Sequence, residues 1–299
     1  MSGIDVQRIK GIFAPIVTTF DEAGELDLKS MKANLDRWEK TRMAGYVVLG
    51  SNSEANYLSF DEKIRLVSYV VEENRGKKVV IAGTGVETTK DTIALTKAVA
   101  QEGAEAALVL PPFFFKASMN NTVLAAHYRA VADASPIPIL IYNMPGNTGL
   151  NLDSNLVSEL SFHQNIIGIK DSGGNLVQIG EIIAKSKPGF VVFAGSGSYI
   201  LTTLVLGGHG TTAALANVLP DTLADIYDAF MAKDLERARK IQLKVMDINK
   251  AVTAKYGVPG LKAAMDMIGY VGGKPRLPML PLPEKDRMDL ERILRAAMN

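Results

Sequence analysis

Short apolar runs recur along this chain at intervals of roughly 20 to 35 residues, each bounded by Gly, Pro or polar residues, and that period limits the fold more than any other feature. They lie at 12–17, 45–49, 79–82, 106–110, 138–142, 166–169, 191–194 and 210–213, which makes eight candidate strands. Segments with helical spacing separate them, such as 30–41, 61–73 and 91–102. The second and third of these open on Asp61 and Asp91, which read as N-caps. Runs such as Ile139-Leu140-Ile141 are apolar on both faces, the pattern of parallel strands covered on two sides. Eight βα units within about 220 residues suit a closed (β/α)8 TIM barrel, because an open sheet of that size would carry an edge or a reversal of strand order.

Beyond Pro220 the pattern changes. Segment 221–252 holds no strand candidate, and Leu223, Ile226, Tyr227 and Phe230 fall at helical intervals. Segments 259–268 and 284–298 read as a second and a third helix, and the glycines and prolines between them as a stiff connector. The expected organisation is a barrel over 1–220 that holds the active site, with a three-helix C-terminal extension over 221–299 packed on it.

Composition removes several functions. Thirty-three Lys plus Arg against 32 Asp plus Glu leave a net charge of +1, so no overall field favours nucleic acid or an anionic membrane. Zero cysteines exclude disulfides, thiol nucleophiles and thiolate metal sites. Met1 to Val6 lack a basic segment followed by an apolar core, and no apolar run approaches the ~18 residues of a membrane helix. A cytoplasmic protein is expected. His127, His163 and His209 stand far apart and fit no metal-ligand pattern, so no metal is expected. Gly195-Ser196-Gly197-Ser198 opens like a dinucleotide fingerprint but lacks its third glycine, and no phosphate-binding P-loop is present.

Barrels of this kind carry their chemistry at the C-terminal ends of the strands. The sixth candidate strand continues into Lys170-Asp171-Ser172, and period-two alternation places Lys170 on the face of Ile166 and Gly168, pointing inward. A partly dry barrel mouth favours the free amine, a nucleophile toward a carbonyl carbon. Tyr142, ending the fifth strand, would stand beside it and could shuttle protons. Gly50-Ser51-Asn52-Ser53-Glu54, after the second strand, offers hydroxyl, amide and backbone N–H donors suited to a carboxylate. The tract Pro111 to Phe115 is too apolar for a solvated loop and suggests a subunit contact or a wall of the active site.

The order Gly50-Ser51-Asn52-Ser53-Glu54, then Tyr142-Asn143-Met144-Pro145-Gly146-Asn147-Thr148-Gly149, then Gly168-Ile169-Lys170-Asp171-Ser172 resembles the dihydrodipicolinate synthase and N-acetylneuraminate lyase superfamily of pyruvate-dependent class I aldolases, over nearly the whole chain. The resemblance implies that Lys170 forms a Schiff base with pyruvate or another 2-oxo acid, that Tyr142 relays protons, and that Ser51 and Asn52 hold the substrate carboxylate. It implies no metal or organic cofactor. It also implies a homotetramer, a dimer of dimers, acting on a small 2-oxo acid and an aldehyde.

Within the superfamily, dihydrodipicolinate synthases usually carry an arginine where this chain has Asn147, and a tyrosine from a neighbouring subunit where it has Phe114. A neutral amide cannot make the bidentate pair to a carboxylate that arginine makes. The segments around Ser51, Asn147 and Lys170 and the stretch 251–273 resemble instead the 4-hydroxy-2-oxoglutarate aldolase branch, in which Ser172 would add a carboxylate contact. Asn147, Gly195 and Phe114 complete the expected substrate-binding set. Ser53 in place of a glycine, and Phe114 in place of a tyrosine, depart from that branch. The alternatives are a dihydrodipicolinate synthase, another sugar-acid aldolase or dehydratase, a barrel that binds phosphate near Gly195 to Ser198, and a non-catalytic 2-oxo acid binding protein.

Overall fold

The structure is a computed structural model that describes residues 8–298; the leader reading of Met1 to Val6 lies outside these residues. Eight parallel strands close on themselves in chain order: β1 (Gly11–Pro15), β2 (Gly45–Val48), β3 (Val79–Gly83), β4 (Ala106–Val109), β5 (Ile139–Asn143), β6 (Ile166–Asp171), β7 (Val191–Ala194) and β8 (Gly210–Thr212), with β8 paired to β1. The expected TIM barrel is therefore present, and the predicted strands lie within a few residues of the observed ones. Helices α1 (Leu28–Trp38), α2 (Phe60–Asn74), α3 (Thr89–Gln101), α4 (Asn121–Ala134), the short α5 (Pro145–Thr148), α6 (Ser154–Ser161), α7 (Leu176–Lys185) and α8 (Ile200–Val205) alternate with the strands.

Two sequence expectations about local structure are corrected. Asp61 and Asp91 do not cap their helices. Ser59 accepts from Glu62 N–H in a reciprocal capping box, and Thr88 accepts from Asp91 N–H, so both aspartates sit inside the first turn, where their charge meets the positive end of the helix dipole. Lys170 does not share a face with Ile166. The register between β5 and β6 slips at Ile139/Leu140, which adds one residue to β6. Ile166 faces the outer helical shell with Ile139, Ile141 and Ile169, whereas Ile167 joins the interior with Leu140 and Tyr142. After the bulge the pairing resumes as Tyr142 opposite Lys170. Gly168 permits it, since a Cβ there would collide with the Val191 carbonyl of β7.

Phe13, Val47, Val79, Ile81, Ala106, Leu108, Leu140, Ile167, Val191 and Phe193 fill the barrel below the site, with Phe13 and Phe193 tilted rings 5.2 Å apart. Segment 221–252 is not one helix. α9 (Pro220–Met231) packs on β1 and α8, Lys233 turns left-handed, Asp234 caps α10 (Leu235–Lys244), and α11 (Met246–Lys250) runs into a π-helical turn over Ala251–Lys255. α12 (Gly257–Met267) and α13 (Glu284–Met298) follow. No helix among the described residues is long and apolar enough to cross a membrane.

The histidines sit in packing positions. His163 contacts Asp133, His209 accepts from Val192 N–H, and His127, 4% exposed, meets Thr89 Oγ1 at 2.9 Å through Nδ1. Its Nε2 is buried without a partner, and burial lowers its pKa from 6.5 to about 4. The unfolded chain therefore binds the extra proton first, and stability should fall as pH drops from about 6.5 to about 4. This one residue should contribute about 3 kcal/mol to that loss. In urea titrations across this window, His127→Asn, which keeps a partner for Thr89, should show a flatter pH dependence; an unchanged slope would contradict the assignment.

Candidate active site

A cavity of about 1010 Å³ opens above the barrel interior and is lined from several strand ends at once. Lys170 and Tyr142 form its floor, and both are buried, 3% and 5% exposed. The ammonium nitrogen of Lys170 stands over the Tyr142 ring, 4.2 Å from its centroid. The Tyr142 hydroxyl donates to Met144 Sδ at 3.3 Å, which leaves its oxygen to accept from Ser51 Oγ, also at 3.3 Å. Burial by itself would push this phenol up. The Lys170 charge and the Ser51 hydrogen bond outweigh it and hold the phenol below its ordinary value. An acidified phenol touching an amine is equipped to take a proton from it and return it.

Ser51 and Asn52 belong to a single 3-10 turn that follows β2, and both line the cavity. The turn spends the N–H groups of Ser53 and Glu54 on the carbonyls of Gly50 and Ser51. Its position is pinned from below, because Ser53 Oγ donates to the Ile16 carbonyl and Thr18 Oγ1 donates to the Ser53 carbonyl. Ser172 brings a second buried hydroxyl to the phenol, which it helps to hold low, and this hydroxyl makes no other hydrogen bond within the protein. Gly195 makes room for it: a Cβ at Gly195 would overlap Ser172 Oγ and the Asp171 carbonyl.

The structure thus brings Lys170, Tyr142, Ser51, Asn52, Ser172, Asn147 and Gly195 to one cavity. Phe114 is the exception. It is 74% exposed, lies outside the lining and packs edge-on against Phe115, while Phe113 takes the place at the wall. The loop is set by Glu87, whose carboxylate accepts from the N–H groups of Phe113 and Phe114 and turns the second ring outward.

Several lining residues were missed by sequence reasoning. Asn249, Lys250, Val252, Thr253 and Ala254 reach the cavity from α11 and the π-helical turn, and Lys63 from α2. Asn249 donates to both Ser196 Oγ and Ser198 Oγ, at 2.9 and 2.7 Å, and accepts from Gly197 N–H. The loop after β7 is therefore tied to the C-terminal helices, with the Gly197 N–H spent on Asn249. Behind the floor, Asp171 points away from Lys170 into a buried amide network: its carboxylate accepts from Asn143 Nδ2 at 2.8 Å, Gln178 Nε2 at 3.2 Å and Gly173 N–H at 2.9 Å. An aspartate of opposite parity to the lysine in an apolar strand was the available signal, since such a carboxylate needs buried donors.

Comparison with known proteins follows the same geometry. The family model of the dihydrodipicolinate synthetase family matches residues 8–297. The chain is 36% identical over 287 residues to a 4-hydroxy-tetrahydrodipicolinate synthase of Archaeoglobus fulgidus, covering 96% of this chain and 98% of that one. It is 37% identical over 275 residues to a protein of Emericella nidulans named a probable mitochondrial 4-hydroxy-2-oxoglutarate aldolase, covering 90% and 89%. Among solved structures, dihydrodipicolinate synthase of Bacillus anthracis superposes with a TM-score of 0.92 at 28% identity, covering 96% and 97%. The E. coli protein YagE, solved in complex with pyruvate, gives 0.92 at 27% identity, covering 97% and 98%. Sequence, fold and strand-end residues agree, and the chain belongs to the dihydrodipicolinate synthetase family, as an enzyme of its lyase and aldolase type.

Proposed function

We propose that this enzyme cleaves, or forms, a 4-hydroxy-2-oxo acid through a Schiff base on Lys170, with pyruvate and an aldehyde on the other side of the reaction. The carrying observation is a buried amine stacked on an acidified phenol, with the Ser51 and Ser172 hydroxyls both beside that phenol. In this reading Ser51, Asn52 and Ser172 grip the C1 carboxylate and bring the C2 ketone to Lys170 Nζ. The amine adds to C2, Tyr142 delivers the proton that lets water leave, and a protonated imine results. Tyr142, left as a phenolate, takes the 4-hydroxyl proton as the C3–C4 bond breaks, its electron pair moves into the imine, and the aldehyde departs. The enamine left behind takes a proton at C3, and water releases pyruvate and the free lysine.

The 4-hydroxy-2-oxoglutarate class is favoured because Asn147 supplies a neutral amide at the mouth where the condensing synthases need a cation for a second carboxylate. The opposite reading, condensation of pyruvate with aspartate semialdehyde, draws support from the Archaeoglobus relative. A coupled assay separates them. Pyruvate release from 4-hydroxy-2-oxoglutarate should exceed the condensation by at least about tenfold in kcat/KM, and the reverse ranking would overturn the assignment. A homotetramer built as a dimer of dimers, in a cytoplasmic setting, completes the proposal. Phe114 and Phe115, 74% and 72% exposed, give such an assembly an apolar contact, and elution as a monomer in sizing chromatography would remove it.

Gly195→Ala probes the carboxylate grip. The added methyl has no space beside Ser172 Oγ, so the KM for the oxo acid should rise about tenfold or more. Unchanged KM would place the carboxylate elsewhere.

A further inference from the structure

The turn that carries Ser51 and Asn52 ends on Glu54, a buried residue in the left-handed conformation at φ 55°. A non-glycine residue holds that conformation only where its surroundings dictate it. Here they do so from the far end of the chain. Glu54 Oε1 lies 2.6 Å from Lys262 Nζ of α12, with the two side chains 0% and 1% exposed, and Oε2 accepts from Arg276 N–H at 2.7 Å. Lys262 Nζ also donates to the Lys274 carbonyl at 2.9 Å and sits over the Phe20 ring. The Arg276 guanidinium covers the same ring and donates to Gly24, Tyr57 and both oxygens of Glu62. Residues 271–276 form a strap across the mouth side of the barrel, and its end at Val271 is tied to Asn34 of α1 in both directions.

A buried ion pair adds little net stability compared with apolar side chains of the same volume, but it holds its partners in one geometry, and loss of either charge leaves the other stranded. We infer that Glu54 and Lys262 are positioning residues: the C-terminal helix α12 and its strap lock the Ser51–Asn52 turn in register for the carboxylate of the 2-oxo acid. The inference rests on the proposed carboxylate role of that turn. Because the pair touches neither the reacting carbon nor Lys170, its effect on half-saturation is confined to substrates that carry a carboxylate, and any displacement passed to Tyr142 through Ser51 would appear in the maximal rate for both ketones alike.

Two ketones of similar size test this. Pyruvate and neutral hydroxyacetone are each titrated against the rate at which borohydride inactivates wild type, Glu54→Gln and Lys262→Met. Burial already pushes Lys262 below the ordinary lysine value against the pull of Glu54, so in Glu54→Gln the lysine can shed its proton and the fold is spared a lone charge. The expected result is a rise of about tenfold in half-saturating pyruvate in both variants, with hydroxyacetone changed less than about twofold and the maximal trapping rate kept. Equal shifts for both ketones, no shift for either, or collapse of both variants by circular dichroism would make the pair merely structural and overturn the inference. If pyruvate fails to trap wild type while hydroxyacetone traps all three proteins alike, the proposed carboxylate role of the turn falls and takes this inference with it; if neither ketone traps wild type, the reading of Lys170 falls.

Discussion

Lys170→Arg should lower kcat for oxo-acid cleavage by about five orders of magnitude, to the level of Lys170→Met, while leaving the fold intact. Arginine is the informative replacement. It keeps a positive charge above the Tyr142 ring, so the electrostatic hold on the phenol survives, yet a guanidinium does not lose its proton in a protein and cannot add to a ketone as a free amine. If the charge alone were the function of Lys170, the arginine variant would keep much of the activity. Lactate-dehydrogenase-coupled pyruvate release measures both variants, with near-ultraviolet circular dichroism as the control for folding. Residual activity above about one percent in Lys170→Arg would separate this lysine from covalent catalysis.

The second large effect belongs to the phenol. Tyr142→Phe retains the ring under Lys170 and the buried volume, and removes only the oxygen that meets Ser51 and Met144. General acid–base groups contribute roughly 10²–10⁴ in rate, and a drop in kcat of about 10³ is expected, with KM little changed. Imine formation should slow in the same proportion, while the extent of trapping by borohydride at long times remains near wild type. The pH profile supplies an independent readout. Because the phenol is held below its ordinary value, the limb it governs lies lower than a free tyrosine would give. Ser51→Ala, which deletes a hydrogen bond favouring the phenolate, should move that limb upward. A Tyr142→Phe enzyme with full kcat would hand the proton transfers to water.

How far these features could be read without coordinates differs from element to element. The strands are legible because a parallel strand covered on both faces must be apolar throughout, and such runs stand out between polar turns. Helix starts were misread by two or three residues. Aspartate draws the eye as a cap, yet Ser59-Phe60-Asp61-Glu62 carries a full capping box, a signal present in the sequence and outweighed in the reading. The β6 bulge is a different matter. Parity counted from Ile166 fails because one residue is added at Ile167, and only the contact between Gly168 and the Val191 carbonyl of the next strand shows why. Lys170 faces inward through that reset, not through unbroken alternation.

Distance along the chain sets the remaining limit. Asn249 meets Ser196 and Ser198 across about fifty residues, and Lys262 meets Glu54 across about two hundred. No local pattern encodes either pairing, because each is decided by where α11 and α12 come to rest on the barrel. Phe114 shows the same dependence at short range. The resemblance points this position toward a neighbouring subunit's site; within its own chain the Glu87 carboxylate captures the loop's N–H groups, with Phe113 at the cavity wall and Phe114 exposed.

The central claim concerns one covalent bond, and reduction in the presence of pyruvate tests it without reference to any aldehyde. Protein incubated with pyruvate and borohydride, digested and sequenced by mass spectrometry, should carry one reduced pyruvate per chain, on Lys170, with activity lost in step. A modified lysine elsewhere, such as Lys63 or Lys250 of the same cavity, or an unmodified protein inactivated by neither reagent, would contradict the account.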